Sequence, residues 1–280
     1  MITSIVFSKD RPLQLDLCLK SLKKNFVDCE RIVVLFKYSP EYEDSLWTLI
    51  KEHPNVSFIS QSESIYQDII DISNMPDHKY ICFFTDDNIF YNRFSTNMYD
   101  SIFGNPSVCC MSLRLGYNID TRWHCGQSQY DIPYKIQEIA DWIFIPKTSY
   151  PYGSYWGYSH SVDGHIFRSK DVIEMFDQIE YLNKRFQFKQ TPNEVETQMQ
   201  RFWAISSQYI VCPKHSCVVN SPNNRVSDTH TENFSGEHFK YDPDFLLAKY
   251  LNGKRVNMDL LDFSSINCPH YELNIAEAII

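Results

Sequence analysis

Short apolar runs alternate with amphipathic stretches over the first third of this chain of 280 residues. Ile2 to Phe7 (ITSIVF) has the character of a central parallel strand, and the polar turn Ser8-Lys9-Asp10-Arg11 follows it. Pro12 then suits the first turn of a helix, in which Leu15, Leu19, Leu22 and Phe26 share a stripe. Arg31 to Phe36 (RIVVLF) predicts a second buried strand, and residues 40–51 a second helix carrying Leu46, Leu49 and Ile50. Val56 to Ile59 predicts a short third strand, Ser64 to Ser73 a third helix, and Tyr80 to Phe84 a fourth strand. Strand and helix alternate with short connections. That order predicts an α/β fold with a mostly parallel central sheet and helices on both faces.

The pattern then loosens. Residues 92–103 read as a helix, and Ser107 to Leu113 (SVCCMSL) as a strand, while residues 114–147 are long, polar and irregular. Tyr150 to Tyr158 (YPYGSYWGY) interleaves Tyr150, Tyr152, Tyr155, Trp156 and Tyr158 with two glycines, which suits either a sugar platform or buried structural rings. His165 to Phe167 predicts a strand, with Ser169 capping a helix over 170–176. Asn193 caps another over 194–205, with Glu196 three residues on as in a capping box. Tyr209 to Cys212 and Ser216 to Val219 are two more short strands. No repeat, low-complexity tract or linker interrupts the chain, so one domain over 1–280 is the simplest division.

The run Ile81 to Phe90 (ICFFTDDNIF) ends a buried strand in two adjacent carboxylates. An unpaired buried charge costs several kcal/mol or shifts its pKa, so such acids ordinarily have a counterion. In an open α/β sheet, ligands lie beyond the carboxyl ends of the strands, where Asp86 and Asp87 emerge. A divalent cation held on a phosphorylated substrate accounts for them. The structural alternative is a turn in which Asp87 or Asn88 caps a following helix.

Lys and Arg total 26 against 35 acids, a net charge of -9 that repels nucleic acid. Nine cysteines without a CxxC pair indicate reduced thiols and a cytoplasmic setting. Cys212 and Cys217 flank His215, but the spacing suits buried thiols better than zinc. No run approaches the ~18 apolar residues of a membrane span, which leaves only peripheral contact with a membrane. The chain passes from Met1 straight into its first strand, so no signal peptide is expected.

Residues 2–22 (ITSIVFSKDRPLQLDLCLKSL) resemble the opening strand, turn and helix of family 2 and related glycosyltransferases of the GT-A fold. TDDNIF is similar to their DxD-type motif, in the version of the spore-coat polysaccharide type, and SVDGHIFRSKDVIEMF resembles their acceptor-side segment. The resemblance implies a nucleotide-sugar-binding half over 1–113 and an acceptor half over 114–280. It implies that Asp87 ligates Mn²⁺ or Mg²⁺ and that Asp86 touches the ribose or a metal-bound water. A C-terminal histidine, here His230, would be a further metal ligand. The donor would be a nucleotide-diphosphate sugar, most commonly of uridine, and the acceptor a glycan or other hydroxyl.

Other residues follow from the same chemistry. Ser8 and Arg11 stand where the nucleotide would dock, and Arg11 is in a place to reach a phosphate. The aspartate that family members carry after the second strand is replaced by Phe36-Lys37-Tyr38, leaving Lys37 for a phosphate and Tyr38 to stack on a base. Transfer needs a base for the acceptor hydroxyl, and the resemblance places it at the start of a late helix, at Glu194 or Glu196. Asp163 is the remaining acidic candidate, suited to acceptor hydroxyls. A sugar-phosphate nucleotidyltransferase would share the sheet and the metal, but FSKDRP lacks the glycine-rich loop it needs. A binding module without turnover shares the fold too.

Overall fold

The computed structural model describes residues 2–123, 127–129, 136–146, 155–158, 160–203, 209–226 and 235–280. Strand β1 (Ile2–Ser8), helix α1 (Pro12–Asn25), β2 (Cys29–Phe36), α2 (Glu43–Glu52), β3 (Ser57–Ser60), α3 (Ile65–Ser73) and β4 (Tyr80–Thr85) succeed one another as the periodicity predicts. β1 is buried along its whole length because β2 and β4 pair with it on either side, both parallel. Right-handed crossovers put α1 and α2 on one face as the chain steps outward to β3, and α3 on the other as it steps back to β4. The α/β expectation holds.

Beyond β4 come β5 (Asn88–Phe90), α4 (Tyr99–Phe103), β6 (Val108–Ser112), β7 (Thr121–Trp123), β8 (Gln127–Gln129), β9 (Gln137–Ile139) and β10 (Trp142–Pro146). They are followed by β11 (His165–Arg168), α5 (Ser169–Phe186), α6 (Pro192–Trp203), β12 (Tyr209–Pro213), β13 (Val218–Asn220) and α7 (Pro243–Leu251). Among the described residues the main sheet runs β3-β2-β1-β4-β11-β6-β12-β10-β9. Its first four strands are parallel, β11 is antiparallel to both β4 and β6, β12 returns parallel to β6, and β10 and β9 close the edge antiparallel. A small ribbon pairs β13 with β5 across the mouth of the parallel half. No described helix is long and apolar enough to cross a membrane.

Three local expectations are corrected. The helix read over 92–103 is only α4, because Phe94 N donates to Asn25 O at 2.8 Å and Asp28 takes Thr96 N at 2.7 Å, which spends donors a helix would need. α5 runs on to Phe186, and Ser169 is its first residue rather than its cap. α6 begins at Pro192, with the Thr191 hydroxyl accepting Glu194 N at 3.3 Å. The cap therefore lies two residues earlier than Asn193, and Glu196 is released from capping.

Asp16 has no solvent exposure. Its Oδ1 meets His53 Nε2 at 2.9 Å and its Oδ2 accepts from Lys20 Nζ at 2.7 Å. Glu52 beside it is bound by Arg255, which follows α7. Asp16, Glu52 and His53 thus place one ligand atom each within 4.8 Å of one another. Lys20, Lys23 and Arg255 already supply the positive charge there, so the cluster ties α1 to α2 and to the segment after α7.

Burial raises the Asp16 pKa, but hydrogen bonds from His53 and Lys20 overcome it and hold the carboxyl below its ordinary 3.8. A depressed folded pKa stabilises above the unfolded value and is lost as pH falls through the folded one. Asp16→Ala is expected to cost about 3 kcal/mol at neutral pH, a penalty that narrows below about pH 4. Urea unfolding of both proteins at several pH values reads this, and a pH-independent penalty would dismiss the ion pair as its cause.

Candidate active site

Because β1 and β4 are parallel neighbours, their carboxyl ends bring the turn 8–11 against the turn 85–88. The second turn does not cap a helix; Asn88 Oδ1 accepts Thr85 N at 2.9 Å and the chain continues into β5. Asp86 and Asp87 are only 4% and 8% exposed, at the point where the two turns meet. Asp86 Oδ2 accepts from Ser8 Oγ and Lys9 N, each at 3.0 Å. Nη1 of Arg11 reaches Asp86 Oδ1 at 3.0 Å and Asp87 Oδ2 at 2.8 Å. Asp87 Oδ1 accepts from Thr85 Oγ1 at 2.8 Å and Asn220 Nδ2 at 2.7 Å. Asp10, in the left-handed region at φ 52°, ties this corner to the next turn by accepting Ser39 N at 2.7 Å.

Burial, and then the neighbouring Asp87, push the Asp86 carboxyl up to about 6 even though Arg11 opposes them. Burial works against the Arg11 charge, but the two carboxylates outweigh it. One guanidinium therefore serves two buried acids.

A second cluster adjoins the first. Gly164, at φ 72°, allows the sharp turn that sends Asp163 back toward β4 just before β11 begins. Asp163 Oδ1 accepts from Asn88 Nδ2 at 3.1 Å and lies 2.9 Å from Thr85 Oγ1, whose single proton it shares with Asp87 Oδ1. Its Oδ2 lies 3.3 Å from Arg114 Nη1 and 3.5 Å from His270 Nε2. Burial alone would raise its pKa; the hydrogen bond and charge of His270, with Arg114 and Thr85, hold it well below the usual range. Glu196 comes in from α6, accepting Val162 N at 3.2 Å and bonding the Tyr158 hydroxyl. Its pKa is raised by burial and by the Asp163 charge. Two acids within one cluster are thus pushed in opposite directions, the usual signature of divided roles.

The structure brings Ser8, Arg11, Asp86, Asp87, Asp163 and Glu196 to one edge of the sheet. Tyr38 borders it through a 3.3 Å contact between its hydroxyl and Ser8 Oγ. Lys37 is exposed. Glu194 bonds Gln198 on its own helix. His230, Tyr150 and Tyr152 lie outside the described residues. Sequence reasoning missed Thr85, Arg114, Asn220 and His270. Three of these lie far from the acidic motif, and only the sheet order and the β13–β5 ribbon bring them in.

No family model matches the chain. It is 27% identical over 194 residues to a bifunctional glycosyltransferase, pgtA, of Dictyostelium discoideum, covering 64% of this chain and 25% of that protein. The chain therefore spans about a quarter of that curated relative. Its structure is also similar to that of S. aureus TarS 1-349, with a TM-score of 0.46, 14% identity, and coverage of 90% of this chain and 70% of that one. The resemblance to glycosyltransferases read from the sequence is borne out by the curated relative.

Removing the shared guanidinium leaves two buried carboxylates facing each other. Arg11→Met is expected to lower stability by about 3 kcal/mol at pH 7. Asp86 has a folded pKa raised to about 6, so its ionised form costs stability above that pH and protonation relieves the cost below it. The deficit of the variant should shrink between pH 7 and pH 5 in chemical denaturation, and a constant deficit would contradict the shared-counterion account.

Proposed function

We propose that this chain is a metal-dependent, inverting glycosyltransferase of the GT-A type, moving a sugar from a nucleotide-diphosphate donor to a hydroxyl of a glycan or similar acceptor. The observation that supports it most is the Thr85 hydroxyl, which lies 2.8 Å from Asp87 Oδ1 and 2.9 Å from Asp163 Oδ1. It links an end suited to a cation and diphosphate with an end suited to acid–base work. On this reading residues 1–113 hold the nucleotide sugar and 114–280 the acceptor.

The doublet fits a divalent cation. Asp86 Oδ1 and Asp87 Oδ2 converge on one nitrogen of Arg11, so two hard oxygen donors already face a single positive centre. Bound Mg²⁺ or Mn²⁺ would neutralise charge developing on the departing diphosphate. Arg11 contributes a second positive charge, and Ser8 and Tyr38 border the place of the nucleoside, with uridine the first to try. Glu196 takes the proton of the acceptor hydroxyl. That oxygen bonds to the anomeric carbon on the face opposite the diphosphate, while the bond from carbon to the diphosphate oxygen breaks and its electron pair leaves with the phosphate. A carboxylate whose pKa is raised is the better base, and Glu196, unlike Glu194, lies among the residues of the site. Asp163, kept ionised, orients acceptor hydroxyls. Among the described residues Cys18, Cys29, Cys82, Cys109, Cys212 and Cys217 are free thiols, in keeping with a reducing, cytoplasmic setting.

Calorimetry with UDP should show binding that needs Mn²⁺ or Mg²⁺ and vanishes in Asp87→Ala; equal affinity with and without the ion would refute metal dependence. In transfer assays over a panel of nucleotide sugars and acceptors, Glu196→Gln should lose about a thousandfold in kcat while keeping donor affinity, and Glu194→Gln should stay within a few fold. Normal turnover by Glu196→Gln would move the base elsewhere.

A further inference from the structure

A guanidinium in the interior ordinarily spends its N–H groups on protein or water acceptors. Arg114, two residues past β6, has 1% of its surface exposed. Among the described residues only Nη1 finds an acceptor, Asp163 Oδ2 at 3.3 Å, while Nε and Nη2 have none. These two N–H groups point the same way from one edge of the guanidinium plane. They form the fork with which arginine grips two oxygens side by side. The rings of Tyr155 and Tyr158 lie 5.3 and 5.8 Å from the guanidinium carbon, and both tyrosines are only partly buried.

We propose that the Arg114 fork reads two neighbouring hydroxyl oxygens of a neutral sugar at the acid–base end of the site. This rests on the glycosyltransferase reading and adds a class of ligand to it. The charge around Arg114 decides between a neutral and an anionic ligand. Asp163 and Glu196 already face this one buried guanidinium, with His270 turned to Asp163 alone, so a uronate or phosphate on the fork would bring a third acidic group to the cluster. A diol brings none. Its oxygens accept from Nε and Nη2, and its own O–H groups donate to the carboxylates. Tyr155 and Tyr158, partly exposed beside the guanidinium, offer rings that suit the C–H side of a pyranose. Lysine carries the same charge but not the fork, so it cannot replace arginine here.

Binding of methyl glycosides of glucose, galactose, mannose and fucose, measured by saturation-transfer NMR alongside methyl glucuronoside, tests this without any donor or metal. At least one neutral glycoside should bind the wild type, more tightly than the glucuronoside, and Arg114→Lys should lose about tenfold. A monodeoxy version of that glycoside, lacking one hydroxyl of the pair, should lose a similar factor with the wild type and little more with Arg114→Lys. UDP binding with Mn²⁺ should be the same in Arg114→Lys and wild type. Unchanged glycoside affinity in the variant, preference for the glucuronoside, no binding across the panel, or loss of UDP binding in the variant would each overturn the proposal. Failure of the wild type to bind UDP, with the glycoside pattern intact, would instead count against the donor site alone.

Discussion

Two adjacent carboxylates at the end of a buried strand and one guanidinium between them are the constraint on which the rest of the site depends. Asp86 and Asp87 are nearly without solvent, so their charges have to be met from inside the protein. Arg11 meets both through a single nitrogen. That is possible only because β1 and β4 are parallel neighbours and end at the same edge of the sheet. A sheet in which another strand separated them would leave Asp86 and Asp87 without this partner. The strand order, set by right-handed crossovers and apolar strands, is thus a condition for giving the two acids their shared counterion.

The same edge divides acids of one chemical type into different states. Asp163 gathers a histidine, a guanidinium and a hydroxyl and is driven down, whereas burial and the Asp163 charge drive Glu196 up. Neither shift is a property of the residue alone. Asp163 owes its position to Gly164, and Glu196 owes its freedom to Thr191, which caps α6 and leaves the glutamate to bond Val162 N. Backbone conformation and a helix start fixed two residues upstream therefore set the electrostatics of the cluster.

Most of this edge was legible in the sequence. The alternation of ITSIVF, RIVVLF and YICFF with helical stretches announces parallel strands, and acids at the end of such a strand announce an interior counterion. The start of α6 was read in the wrong frame because Asn193 and Glu196 imitate a capping box, while Pro192 at the first helical position favours Thr191. The helix read over 92–103 failed for another reason. Its donors are taken by Asn25 and Asp28, at the end of a helix about 70 residues earlier in the chain, and no local pattern carries that information. Arg114 was invisible for the same cause. A lone arginine in a polar stretch looks like a solvated one until the fold closes over it.

The C-terminal part of the chain is what a reading of the acidic motif alone would leave out. After β12 the chain turns back, and β13 pairs with β5 in a register that sets Asn220 opposite Asn88. Asn220 thereby reaches Asp87 through its side chain, while its backbone holds Pro269 and Tyr271 on either side of His270. His270 then stands at Asp163 with its other nitrogen 2.9 Å from the Tyr155 hydroxyl. One short ribbon therefore completes both clusters, supplying the Asn220 amide to Asp87 and positioning the His270 imidazole at the acid under Arg114. The weakly patterned tail is a wall of the site, and the low pKa of Asp163 depends on it as well as on the turn that carries the aspartate.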